Sequence, residues 1–213
     1  MKYNIISTGS HGNAVIVNEC ILIDCGVSFK ALKDVYKGLK LVLLTHEHFD
    51  HINKTTIKLL AKERPTLRFG CCEWLVKLLI DCGVPKSKID VYDIGKIYNY
   101  GAFKVSPIKL YHNVQNAGYR LFFGEKKAIY ATDTAHLNGI TAKEYDLYLI
   151  EANYTKEDLA KRIKEKTAAG QYCYELQVAE RHLSHEQASE FLLQNMGKKS
   201  EYVFLHQHKE VTK

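Results

Sequence analysis

An apolar run at residues 40–45 ends at a dense group of polar side chains, in the segment Thr45-His46-Glu47-His48-Phe49-Asp50-His51. The run has the length and composition of a buried strand. In an extended segment His46 and His48 face the same side, whereas on a helix they would point about 200° apart. A turn after His48 can then bring Asp50 and His51 to a neighbouring point. The segment therefore predicts metal ligands at the end of a strand.

The grouping of these side chains is itself an argument for a cation. Three histidines and an aspartate within six residues are costly to bury without a partner, and protonated histidines would repel one another. A divalent cation neutralises such a group. The alternative is that these are surface polar residues at a strand end, as isolated histidines usually are. We expect a metal site.

The composition is that of an ordinary globular protein, with 213 residues of which 46% are hydrophobic and 25% charged. It excludes collagenous, disordered and coiled-coil classes. The net charge of +6 is compatible with an anionic partner but too small to identify one. The six cysteines form no C-x-x-C pair, which argues against a zinc knuckle or a disulfide framework. With no apolar stretch long enough for a membrane span and no signal-peptide core, we expect a cytoplasmic protein without a membrane partner.

Short strands outnumber helices along the chain. The opening residues predict three antiparallel strands. Single helices then follow strands in both halves, among them predicted helices at residues 28–39, 54–62 and 72–81. No repeat and no linker marks a domain boundary. The pattern predicts one α/β domain over residues 1–213, an αββα sandwich of two mixed β-sheets flanked by helices.

The spacing H-x-H-x-D-H resembles the signature of the metallo-β-lactamase superfamily of di-metal hydrolases. The other landmarks of that family follow in order along the chain. Asp24, which ends an early strand, matches an aspartate that orients a ligand histidine. His112, Asp133 and His206 match the third histidine, the bridging aspartate and the last histidine. The resemblance covers nearly the whole chain and implies the αββα fold.

The resemblance implies that the protein binds two divalent metal ions. The positions that match family ligands are His46, His48, Asp50, His51, His112, Asp133 and His206. The first two histidines would bind one ion together with His112. Asp50, which we also count among the catalytic residues, would bind the other ion with His51 and His206. Asp133 and a hydroxide would bridge the two. Zinc is the expected metal and manganese the alternative, because such donor sets accept both.

The last motif, Leu205-His206-Gln207-His208, departs from the family pattern because no serine follows its first histidine. His208 therefore competes with His206 for the ligand role. We favour His206 because it directly ends the apolar run at residues 203–205. Three further histidines are expected at the rim or surface: His11, His136 and His185.

Asp133 narrows the reaction that the resemblance implies. Family members that open drug rings with zinc usually have cysteine there, whereas a bridging carboxylate resembles the esterase, thioesterase and phosphodiesterase branches. The segments around Glu151 and His182 resemble motifs of tRNase Z and its relatives, including the small bacterial and phage YycJ-type proteins. This resemblance implies phosphodiester hydrolysis in nucleic acid or nucleotides. Because a departing alkoxide must be protonated, we expect His182 as the general acid and Glu151 as its orienter.

Other functions stay open at this point. A cyclic-nucleotide phosphodiesterase of the phage anti-defence type would share the fold and the ligands. A glyoxalase-II-like thioesterase would keep the metals but need no acid at His182. A non-catalytic metal-binding module would bind its partner without turnover. Residues 154–181 could form a lid or a phosphate-contacting wall, or only a solvated helix face. A homodimer, common among relatives, is also left open.

Overall fold

The computed structural model describes residues 1–207, which form two compact units, one ending at Pro107 and the other beginning at Ile108. It contains two six-stranded sheets. Each sheet has both parallel and antiparallel strand pairs, and helices accompany both sheets. The predicted class, an α/β protein with two mixed β-sheets and flanking helices, is confirmed. The expectation of one domain over residues 1–213 stays a prediction.

The first sheet has its strands in chain order from one edge to the other. They are β1 (Tyr3–Ser7), β2 (Ala14–Val17), β3 (Ile21–Ile23), β4 (Leu41–Leu43), β5 (Arg68–Cys72) and β6 (Ile89–Tyr92). Strands β1 to β3 pair antiparallel, which confirms the predicted opening meander. Strands β3 to β6 pair parallel. The carboxyl ends of these parallel strands therefore meet at one edge of the sheet.

Two helices pack on the first sheet, α1 (Lys54–Glu63) and α2 (Val76–Asp81). Helix α1 begins where Asn53 Oδ1 accepts a hydrogen bond from Thr56 N at 3.0 Å. Its Ile57 and Leu60 are fully buried in the core of the first unit. Burying each such side chain stabilises the fold by about 1.5–3 kcal/mol. The predicted helices at residues 54–62 and 72–81 are confirmed, the second in shortened form after a 3₁₀ turn.

The predicted helix at residues 28–39 is wrong. The chain there forms two separate 3₁₀ turns, Phe29–Leu32 and Tyr36–Gly38. The guanidinium of Arg64 donates hydrogen bonds to the carbonyl oxygens of Tyr36 and Leu39, at 2.9 and 3.0 Å. These bonds hold the second turn from outside the segment. The apolar spacing suits a helix, but carbonyl oxygens at the second turn take their donors from this distant side chain.

The second sheet has the order β12-β11-β10-β9-β8-β7. Its strands are β7 (Tyr98–Asn99), β8 (Lys104–Tyr111), β9 (Gln115–Phe123), β10 (Lys126–Ala131), β11 (Leu147–Glu151) and β12 (Glu201–Leu205). Strands β10, β11 and β12 run parallel to one another. Three helices follow β11 along the chain: α3 (Lys156–Ala168), α4 (Glu175–Arg181) and α5 (His185–Asn195).

The core of the second unit lies between its sheet and α5. Ala188, Phe191 and Leu192 of α5 are buried against Tyr148 and Ile150 of β11. Across residues 1–207, no helix combines the length and the apolar character that crossing a membrane requires. All six cysteines are free thiols.

Candidate metal centre

Strand β4 delivers the first motif histidine to a buried strand end. His46 is fully buried, and its Nε2 lies 3.1 Å from His48 Nδ1. The chain then turns, with His51 N donating to His48 O at 3.0 Å. The turn brings the rings of His46 and His51 to 4.1 Å between centroids, and His51 Nε2 to 3.6 Å from Asp50 Oδ2. We call His46, His48, Asp50 and His51 the N-terminal cluster.

A buried aspartate orients His51. Asp24 follows β3 with φ of +58°, a left-handed conformation uncommon outside glycine. Its Oδ2 accepts a hydrogen bond from His51 Nδ1 at 2.7 Å, and both side chains are fully buried. Thr45 donates to Asp24 Oδ1 from its backbone nitrogen at 3.0 Å and its hydroxyl at 2.9 Å. Because Nδ1 is engaged with Asp24, Nε2 is the nitrogen of His51 that would bind a metal.

Asn13 supports the same cluster from a remote turn. Its Nδ2 lies 2.9 Å from His51 Nε2 and 3.3 Å from Asp50 Oδ2, and its backbone nitrogen donates to Asp50 O at 2.6 Å. Its Oδ1 accepts from Gly9 N at 2.8 Å. A Cβ on Gly26 would overlap the backbone oxygen of Asp50, so only glycine fits beside the cluster. In the sequence this turn is recognisable only as a connection between strands.

The N-terminal cluster suits a divalent cation. Donor atoms held about 2.0–2.1 Å from a tetrahedral zinc ion are roughly 3.3 Å apart. The observed 3.1 Å between His46 Nε2 and His48 Nδ1 is close to that separation. Imidazole and carboxylate donors together are also the chemistry that zinc and manganese accept.

Three parallel strands bring polar side chains to one edge of the second sheet. Asp133 follows β10, Glu151 ends β11, and His206 follows β12. Asp133 and His206 have φ of +58° and +52°, so the chain bends sharply as it leaves each strand. His112 follows β8 and His182 follows α4. We call these five residues the C-terminal cluster.

Glu151 is the centre of hydrogen bonding in this cluster. It is fully buried, and its Oε1 accepts from His182 Nδ1 at 2.7 Å and His206 Nδ1 at 2.9 Å. Its Oε2 accepts from the backbone nitrogens of Thr134 at 3.0 Å and Leu183 at 3.1 Å. Burial raises the pKa of the Glu151 carboxyl, but the charge of His182 and the histidine hydrogen bonds outweigh burial and hold the pKa below its usual value. Glu151 is therefore an anion that orients two rings.

The three histidines of the C-terminal cluster all use Nδ1 for support. His112 Nδ1 donates to Arg181 O at 3.0 Å, and the other two donate to Glu151. Nε2 of each ring is then the nitrogen that would bind a metal or carry a proton. The side chains of His112 and His206 are 3% and 7% exposed, whereas that of His182 is 17% exposed. The two buried rings suit ligation, and His182 suits contact with a substrate.

Asp133 stands among these rings. Its Oδ1 lies 3.4 Å from His206 Nδ1, 3.7 Å from His182 Nδ1 and 3.9 Å from His112 Nε2. The potential ligand atoms of Asp133, Glu151, His182 and His206 all lie within 4.8 Å of one another. A carboxylate surrounded by imidazoles at these distances has the donor chemistry of a site for zinc or manganese.

Two asparagines hold the backbone of the C-terminal cluster. Asn116 Nδ2 donates to the carbonyl oxygens of Thr132 at 3.1 Å and Asp133 at 2.7 Å. Asn153 Nδ2 donates to His206 O at 2.9 Å. Neither role is visible in the sequence, because each asparagine contacts a turn that is distant along the chain. Asn116 is buried within β9.

The predicted site residues thus lie in two clusters, one in each unit. Their convergence on one pair of metal ions stays a prediction. His208, the predicted competitor of His206, lies outside the described residues. Within residues 1–207, the three histidines expected at the rim or surface join no group of potential ligands: His11, His136 and His185.

Comparison with known proteins agrees with the residue pattern. Residues 19–206 match the family described as the beta-lactamase superfamily domain. The chain is 27% identical to exodeoxyribonuclease WalJ of Streptococcus pneumoniae serotype 2 (strain D39 / NCTC 7466), covering 96% of this chain and 80% of that protein.

Two solved structures share the fold. The metallo-beta-lactamase fold protein YhfI from Bacillus subtilis has a TM-score of 0.72 at 18% identity, over 98% of this chain and 87% of the other. Human tRNase Z, short form, has a TM-score of 0.70 at 15% identity, over 98% of this chain and 93% of the other. The predicted relation to the tRNase Z-like and YycJ-like proteins is confirmed. The chain belongs to the beta-lactamase superfamily and has the metallo-β-lactamase fold.

Proposed function

We propose that the chain is a metal-dependent hydrolase that cleaves phosphodiester bonds in nucleic acid. The similarity to a protein named exodeoxyribonuclease, at 27% identity over 96% of the chain, supports this substrate class. The observation that carries the proposal is the pairing of His182 with Glu151. A partly exposed histidine held at 2.7 Å by a fully buried carboxylate has the arrangement of a proton donor.

His182 acts as the general acid. With Nδ1 committed to Glu151, Nε2 is the atom that hands a proton to the departing oxygen of the substrate. An alkoxide is a poor leaving group without that proton, whereas a thiolate leaves without help. A general acid at His182 therefore favours a phosphodiester substrate over the thioester substrate of a glyoxalase-II-like enzyme.

The metal ligands are proposed as the family resemblance implies. His46, His48 and His112 would hold one cation, and Asp50, His51 and His206 would hold a second. Asp133 would contribute its carboxylate to both. Divalent cations supply charge neutralisation on the phosphate and activation of water at such sites. We propose zinc first and manganese as the alternative.

The test is a substrate screen with protein loaded with zinc or manganese. Linear single-stranded DNA, RNA, cyclic mono- and dinucleotides and a thioester are offered in parallel. We expect hydrolysis of a linear nucleic acid. Preference for a cyclic nucleotide would support the phage anti-defence alternative, and binding of nucleic acid without turnover would support a non-catalytic module.

The acid is tested with His182→Ala. Turnover should fall roughly 10²- to 10⁴-fold, the range typical of general acid catalysis, while metal content stays at the wild-type value. His11→Ala removes an exposed histidine and serves as the matched control. Loss of metal from His182→Ala would contradict the acid role and indicate ligation. If His182→Ala hydrolyses a thioester as fast as the wild type does, a thioesterase would be supported.

We also propose that the protein is cytoplasmic. The six cysteines are free thiols, which a reducing compartment maintains. We also propose a homodimer, which light scattering on the purified protein tests.

A further inference from the structure

Two helices lie along the chain between Glu151 and His182, the hydrogen-bonded pair of the proposed general acid. Helices α3 and α4 lie between Glu151 and His182, whose Oε1 and Nδ1 are 2.7 Å apart. We call residues 155–181 the helical arm. At its base, Tyr154 pairs with Ser184 in a parallel bridge. Both ends of the arm are therefore held beside the C-terminal cluster.

The loop between the two helices and the first turn of α4 present large side chains to solvent. Tyr172 is 75% exposed, Tyr174 is 41% exposed and Leu176 is 55% exposed. Folding gains little from large side chains left in water, so their burial does not explain this group. An exposed group of this kind next to a candidate active site indicates a binding surface.

The two tyrosines are held in place although they are exposed. Gln177 Nε2 donates to the Tyr172 hydroxyl at 2.6 Å. Lys166 Nζ lies 4.8 Å from the ring centroid of Tyr174 and also pairs with the buried Glu175 at 2.7 Å. Rings fixed before binding lose less conformational entropy when a ligand stacks on them.

The loop itself is ordered by its own hydrogen bonds. Helix α3 ends where Gly170 adopts φ of +63°. Gly170 N donates to Thr167 O at 3.1 Å, and Gln171 N donates to Lys166 O at 2.9 Å. These bonds close the last turn of the helix and direct the chain outward. Tyr172 follows directly after this closure.

The positive charges of the arm concentrate towards the same loop. Residues 161–166 contain four basic residues and one acidic residue, in the order Lys-Arg-Ile-Lys-Glu-Lys. Lys161 and Lys164 are exposed and form no ion pair with a described residue. The Nε of Arg162 is buried without a hydrogen-bond partner among the described residues. The acidic Glu157 and Asp158 lie in the first turn of α3, at the opposite end.

We propose that the helical arm binds a single-stranded segment of the substrate, with Tyr172 and Tyr174 stacking on bases and the basic residues of α3 contacting phosphates. This inference rests on the proposed phosphodiesterase function. Stacking requires open base faces, which a duplex does not offer, so the arm selects single strands. Helix α4 spans seven residues, which places Tyr174 about 12 Å from His182 along the helix axis. Bases on the arm are then a few nucleotides from the cleaved bond.

The binding test uses metal-loaded protein and a fluorescent, cleavage-resistant phosphorothioate 12-mer, offered as a single strand and as a duplex. The double variant Tyr172→Ala/Tyr174→Ala should bind the single strand at least about tenfold more weakly, since each stacked base contributes to affinity. Tyr202→Ala, at a tyrosine that is 51% exposed on β12, is the matched control and should bind as wild type. Thermal unfolding verifies that all variants are folded.

Turnover distinguishes this inference from the proposed function. The ratio of oligonucleotide turnover to that of bis(p-nitrophenyl) phosphate, which is too short to reach the arm, should fall at least about tenfold in the double variant. Wild-type affinity for the single strand in the double variant would overturn the inference, as would equal losses for single strand and duplex. If the wild type binds through the tyrosines but hydrolyses no phosphodiester, the arm is supported and the proposed function fails.

Discussion

Asn13 ties separate parts of the N-terminal cluster together through buried hydrogen bonds to Gly9 and Asp50. We expect Asn13→Ala to lower the free energy of unfolding by about 1–3 kcal/mol, because it leaves the buried backbone nitrogen of Gly9 without its partner. It should also weaken metal binding, since Asp50 and His51 lose their contacts with the Asn13 side chain. Urea denaturation and competition with a chelator measure the two effects. Asn138→Ala, at an exposed loop position, is the control, and wild-type metal affinity in Asn13→Ala would contradict the account.

The substitution Glu151→Gln tests how the C-terminal cluster depends on its buried carboxylate. A carboxamide in Glu151→Gln cannot accept from two histidines and two backbone nitrogens at once. We expect turnover to fall at least about tenfold and the free energy of unfolding to fall by about 1–3 kcal/mol. The measurements are steady-state kinetics and urea denaturation. Glu180→Gln changes an exposed carboxylate of α4 and should behave as wild type; full activity of Glu151→Gln would rule out its orienting role.

The sequence reveals site residues to different degrees. His46, His48 and Asp50 could be predicted because their spacing within one strand end determines their geometry. The role of Asn13 could not, because it acts on Asp50 from 37 residues away and only the fold brings the two together. The same holds for Asn116, which contacts the Asp133 turn from a neighbouring strand.

Helix α5 depends on its amino-terminal cap, which lies two residues after His182. Ser184 Oγ accepts from Gln187 N at 3.2 Å, and Gln187 Oε1 accepts from Ser184 N at 3.0 Å. Ser184→Ala should lower the free energy of unfolding by about 1 kcal/mol, as loss of a helix cap does. Chemical denaturation measures the change. Ser189→Ala, inside α5, is the matched control, and equal stability of the two variants would argue against the cap.

Elements differ in how far local sequence determines them. Helix α1 has both an apolar face and a capping Asn53, so periodicity predicts it correctly. Residues 28–39 have a similar apolar spacing but form two 3₁₀ turns, and Arg64 binds two carbonyl oxygens at the second turn. Local pattern is sufficient where the hydrogen bonds are local, and it fails where a distant side chain supplies them.

For the whole molecule, the strand pattern and the H-x-H-x-D-H segment together lead to the correct fold class and family. Each unit then gathers its own ligand cluster at the carboxyl ends of parallel strands. If both clusters bind the same metal pair, removal of metal should lower the melting temperature, because bound cations stabilise only the folded chain. Calorimetry before and after dialysis against a chelator measures this, and an unchanged melting temperature would argue against structural coupling to metal.

Anomalous diffraction from crystals grown with zinc or manganese shows whether the two clusters bind one pair of metal ions. We predict two metal ions about 3.5–4 Å apart, ligated by side chains from both the N-terminal and the C-terminal cluster. A single ion, an ion bound by one cluster alone, or no ion at all would contradict the account.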